Sequence, residues 1–154
     1  MTLLRDGRTV RDDWLEIDGE QPLPSAEAVI VSLPRWKQDR TELLGRDIRL
    51  GVRLAADEAA EDIADDLARI DLIAIEFPKF TDGRGYSTAR ILRERYCFKG
   101  EIRAVGNVLR DQLRFMARCG FDAVQLNSDT AEQDWRDAQA EISTQYQPPV
   151  SGNA

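Results

Sequence analysis

The sequence predicts an α/β protein built on a mostly parallel, doubly wound sheet of about five strands with an N-terminal hairpin. Three observations carry that prediction. Short apolar runs alternate with helical stripes from residue 28 onward, and an Asp6-Gly7 pair sits between two short apolar segments at the start. A glycine-punctuated, arginine-bearing loop follows the run Leu72–Ile75, where strand ends and helix starts converge in parallel folds. A partial α/β-barrel is the alternative architecture. A complete eight-unit barrel takes roughly 200 residues or more, and the chain has 154, so a barrel here is fragmentary or completed by a partner.

The Asp6-Gly7 pair has the chemistry of a two-residue hairpin turn for residues 3–10. Residues 18–25, with Gly19, Pro22 and Pro24, read as an irregular connection. Residues 28–33 are continuously apolar, as a strand covered on both faces requires. Over 34–44, Trp36, Leu43 and Leu44 fall at helical spacing before Gly45. Residues 48–54 alternate, with Arg49, Gly51 and Arg53 opposite the apolar side, which predicts a strand with one face partly open. A helix over 57–70 aligns Ala60, Ile63, Leu67 and Ile70. Its acids crowd the first turns and Arg69 the last, as the helix dipole favours. The run Glu61-Asp62 and Asp65-Asp66 reads as a solvated face, with a carboxylate metal site the lesser alternative.

Residues 72–77 form the third strand, and a helix over 86–97 turns Tyr86, Ala89, Leu92 and Tyr96 inward. A fourth strand covers 101–105. The helix over 109–119 sets Leu109, Leu113, Met116 and Ala117 against Arg110, Arg114 and Arg118. A fifth strand covers 121–126, and residues 129–132 resemble a capping box opening a last helix with Trp135, Ala138 and Ile142. Residues 1–146 are expected as one domain, and 147–154 as a disordered tail.

The balance of 28 acidic against 21 basic residues disfavours nucleic acid as a partner. No apolar run approaches the roughly 20 residues of a membrane span, so the expectation is a cytoplasmic protein. Cys97 and Cys119 are too few and too far apart for a disulfide framework or cluster site. Histidine is absent, which removes the commonest general base and zinc ligand.

Parallel topology brings the carboxyl ends of the strands to one rim. Arg35, Trp36, Arg53, Glu76, Gln125 and Asn127 fall there by position. The candidate ligand site is Lys79, Asp82, Gly83, Arg84, Gly85, Tyr86, Ser87, Arg90, Asn107 and Asp111. Gly83 and Gly85 would let backbone N–H groups approach an oxyanion beside Arg84. The competing reading is a surface turn with Asp82 or Ser87 as helix cap. The third glycine of a dinucleotide fingerprint and the lysine of a phosphate loop are both missing.

The stretch Phe77-Pro-Lys-Phe-Thr-Asp-Gly-Arg-Gly-Tyr-Ser-Thr-Ala-Arg-Ile-Leu-Arg93, continued by Gly100–Gly106 and Asp111-Gln112, resembles an uncharacterised bacterial family labelled as an oxidoreductase of sulfite reduction. A weaker similarity runs from about residue 29 to 127. The resemblance implies a role beside assimilatory sulfite reductase and supplies no catalytic residues. Electron delivery to sulfite uses flavin, nicotinamide, iron–sulfur or siroheme, and the sequence spells out no motif for any of them. The expectation is therefore an accessory protein binding a small oxyanion such as sulfite or sulfate, sulfite reductase, or both. No cofactor is expected in the isolated protein. An oxidoreductase with an atypically bound flavin or nicotinamide is the alternative, and a small-molecule enzyme unrelated to redox chemistry is the third. The nominated docking surface runs from Arg84 through Arg90 and Arg93, with Asn107 and Asp111 beside it.

Overall fold

A computed structural model of the protein describes residues 2–17, 19–77, 83–108, 112–126 and 132–137. The hairpin forms as its turn chemistry dictates. Strands β1 (Thr2–Arg5) and β2 (Arg8–Val10) pair antiparallel around Asp6 and Gly7, both at positive φ. After β3 (Leu15–Glu16) the chain alternates as expected: β4 (Ala28–Ser32), α1 (Leu33–Leu44), β5 (Arg49–Leu54), a helix at Ala60–Arg69, β6 (Leu72–Phe77), α2 (Arg84–Arg90), β7 (Glu101–Gly106), α3 (Leu113–Cys119) and β8 (Ala123–Leu126). The Ser32 hydroxyl caps α1, accepting from the Arg35 amide.

The sheet order is β2-β1-β8-β7-β6-β5-β4-β3. From β3 to β8 neighbours are consecutive and parallel. A doubly wound sheet reverses its order at a switch point, and this one does not, so the partial barrel is the architecture the chain adopts. With crossovers of one handedness, every intervening helix lands on the same face. Accordingly Val31, Leu50, Ile73, Ile102 and Val124 join Trp36, Ile63, Leu92 and Met116 in the main core.

Curvature follows from chain length. Strands β2 and β3 lie at opposite edges of the sheet, joined by residues 11–14. In a flat eight-stranded sheet those edges would be roughly 34 Å apart, whereas the five steps from Val10 to Leu15 reach at most roughly 18 Å. The sheet curls into a half-barrel, and residues 11–14 strap its concave side. Trp14 packs there against a second cluster of Ile30, Leu72, Ala74 and Val105. A Cβ at Gly51 would lie 3.3 Å from the Trp14 ring, and Arg49 stacks over that ring at 5.1 Å.

Two helices differ from their sequence reading. Ala60–Arg69 is a 3₁₀ helix, whose three-residue repeat aligns Ala60, Ile63 and Asp66 as the buried row. Leu67 is thereby left half-exposed. Helix α2 continues through a π turn, Ile91–Arg95, closed by Tyr96 N–H to the Ile91 carbonyl at 3.2 Å. Residues 132–137 are helical, and Glu132 accepts the Thr9 amide at 2.9 Å, fastening this helix to the hairpin. The expected tail and the start of the last helix, like Leu109, Arg110 and Ala138, lie outside the described residues. Among the described residues no helix is long and apolar enough to cross a membrane.

Candidate functional site

At the carboxyl ends of β3 to β6 a cavity of about 420 Å³ is lined by Glu16, Ser32, Arg53, Glu58 and Glu76, among others. Arg53 binds both oxygens of Glu16 at 2.8 and 2.9 Å, and Glu76 through Nε at 2.9 Å. Burial opposes its charge, but Glu16 and Glu76 together outweigh burial and raise its pKa. Three carboxylates against one committed arginine give this rim cavity no attraction for an anion.

The sequence-predicted residues divide. Lys79, Asp82, Asp111 and Asn127 lie outside the described residues. Arg84, Ser87 and Arg90 are exposed on one side of α2. Gly85 is buried, and a Cβ there would sit 2.8 Å from the Phe77 ring, so its missing side chain serves the approach of α2 to β6. Tyr86 packs edge-on to Phe115, with ring centroids 4.7 Å apart, and also contacts Phe77. Burial, with Cys119 adding, pushes its hydroxyl pKa above the ordinary 10.0. Gly106 takes φ +89°, and a Cβ there would lie 2.6 Å from the Phe77 carbonyl oxygen. Asn107 then donates its amide to that oxygen at 2.9 Å, so Gly106-Asn107 makes a turn after the strand.

Several assignments change. Trp36 does not face the rim: it is 1% exposed and donates Nε1–H to Asp66 at 2.8 Å. Asp66 is likewise no part of a solvated face, since Arg40 clasps it through Nε and Nη2. Its pKa is lowered, first by that hydrogen bond, with burial opposing and Trp36 assisting. Arg35 pairs with Asp39 and the Gly19 carbonyl. Arg93 cannot join a docking surface. It spends its guanidinium on the carbonyls of Phe98, Gly100 and Gly120 and on Asp122, tying α2 to the loops beside β7 and β8. Arg95 pairs with Glu61. Among the described residues no three potential ligands converge as a metal site.

Sequence reasoning missed two features. The first is the contribution of α3 to a face shared with α2, whose Arg84 and Arg90 were already nominated. Phe115 is 43% exposed although large and apolar. Arg90 stands one helical turn beyond Tyr86, and Arg118 one turn beyond Phe115, so both flank the ring pair; Arg84 and Arg114 are exposed nearby along the chain. The second lies on the concave face. There Arg53, Ala74, Arg103, Ala123, Arg5 and Arg8 fall in register as one row across six strands. Period-two spacing of Glu101 and Arg103 was the available signal, since both must share a face. Glu101 bridges the row, accepting from Arg103 Nε at 2.9 Å and contacting Arg5 Nη2 at 2.7 Å.

No curated protein matches the chain. The model of the family described as "Bacterial protein of unknown function (DUF934)" matches residues 51–154, well over half of the sequence, with Arg53, Arg84, Arg90, Arg103 and Phe115 inside the matched span. The protein therefore belongs to that bacterial family of unknown function.

Proposed function

We propose that the protein is an accessory component of assimilatory sulfite reduction that docks on an acidic surface of sulfite reductase through its α2–α3 face. The pathway rests on the sequence resemblance. The mode of action rests on one observation: an exposed Phe115 braced edge-on by Tyr86 and flanked by Arg90 and Arg118. A rigid aromatic anchor set among arginines is the composition of an interface hot spot. Guanidinium groups pair bidentately with carboxylates and steer an acidic partner into register. The face also stands out locally on a chain whose net charge is -7.

Association of the purified proteins tests this. Phe115→Ala should weaken binding by about tenfold or more. Arg90→Glu should slow association and flatten its salt dependence. Binding unchanged in both variants, or no loss of growth on sulfate when the gene is deleted, overturns the reading. A small-molecule enzyme is a second reading, favoured by the cavity around Arg53 and Glu76; it requires a turnover that Glu76→Gln abolishes and Phe115→Ala leaves intact.

A further inference from the structure

Among the described residues, the buried side-chain atoms without a hydrogen-bond partner are Arg5 Nε and Arg103 Nη1 and Nη2. All three belong to one cluster on the concave face, remote in kind from the α2–α3 surface. Arg103 is 1% exposed, yet only its Nε–H is satisfied, by Glu101. Asp12 of the strap stands 3.2 Å from Nη1, within ion-pair reach but out of line for a hydrogen bond. Native proteins seldom leave buried donors unmet, and a buried guanidinium fork least of all. The neighbours in register on either side of Arg103 are Ala74 and Ala123, the small side chains that leave room beside a planar group.

We propose that the concave face of the half-barrel binds a small inorganic oxyanion, of the sulfate or phosphate class, between Arg103 and Arg5, in competition with the Asp12 carboxylate. The two Nη groups of Arg103 present parallel N–H bonds, the fork that two oxygens of one oxyanion match. Arg5 Nε adds a further donor, and Glu101 holds both arginines by their other nitrogens. Without Asp12 the trio of Arg5, Arg103 and Glu101 carries one net positive charge, which an anion neutralises. The Asp12 side chain is 36% exposed, so a solute anion can exchange with its carboxylate without opening the sheet. Among the described residues Asp12 otherwise accepts only the Trp14 amide, at 3.1 Å, a bond that an asparagine oxygen also accepts.

Calorimetric titration of the full chain with sodium sulfate and with sodium phosphate, against chloride at matched ionic strength, tests the site. Asp12→Asn should bind either oxyanion about tenfold more tightly than the wild type, because the like charge is gone. Arg103→Lys, which keeps the charge but loses the fork, should lose binding, and Arg84→Ala should bind as the wild type does. If Arg103→Lys fails to fold, Arg5→Lys in the Asp12→Asn background replaces it and should bind more weakly than Asp12→Asn alone. Absence of oxyanion-specific binding in Asp12→Asn overturns the proposal. So does binding that Arg84→Ala abolishes and Arg103→Lys retains. None of these outcomes depends on association with sulfite reductase.

Discussion

Asp66 takes its role from helix pitch. In an α-helix it would share the solvent side with Asp62, but the three-residue repeat of the 3₁₀ helix turns it inward onto Trp36 and Arg40. Its folded pKa lies below the ordinary 3.8. A carboxyl depressed on folding adds stability that is present above the unfolded value and lost as pH falls through the folded one. Asp66→Asn should therefore be less stable than the wild type by about 1 kcal/mol at neutral pH, since a neutral acceptor replaces a charged one. The gap should close as the pH drops below about 3.8 and the native carboxyl protonates. Denaturant unfolding at the two pH values measures it, and a gap of equal size at both would contradict the assignment.

Elements with strong periodicity were legible in the sequence, and those formed by tertiary contact were not. Strands β4 and β6 announce themselves as apolar runs and β5 by its alternation, and the hairpin does so through Asp6-Gly7. Strand β3 is two exposed residues, Leu15 and Glu16, paired to β4 at the sheet edge, so no local pattern marks it. The strap is equally silent, since its course is set by the distance between the sheet edges. Of the candidate site, Arg84, Ser87 and Arg90 are exposed on α2. Arg93 was misread because its four partners come from residues 98–122. Trp14→Ala tests the strap as an element. It removes a half-buried ring from Gly51, Ile30 and Leu72 and the cation–π contact with Arg49, which should cost about 2 kcal/mol. Trp14→Phe should recover part of that loss in the same thermal unfolding measurement, and two variants as stable as the wild type would mean the strap is not docked.

At the scale of the whole molecule, the half-barrel joins segments far apart in sequence. Strand β1 pairs with β8, joining residues 2–5 to 123–126, while the strap carries the chain from there to the opposite edge. Helix 132–137 then packs on the hairpin turn, with Trp135 filling the space beside Gly7. Such long-range pairing leaves neither half a sheet of its own to retreat to, so the chain should unfold as one unit. Leu4 is the residue at which to test it. It is 1% exposed, in register with Val124, and belongs to the same core as Leu50 and Val52 of β5. Leu4→Ala should lower global stability by about 2–5 kcal/mol, the range for truncating a fully buried leucine. In native-state hydrogen exchange the slowest amides of β5, four strands away from β1, should lose as much protection as those of β8. Loss confined to β1 and β8 would instead make the hairpin edge a separate, locally unfolding unit.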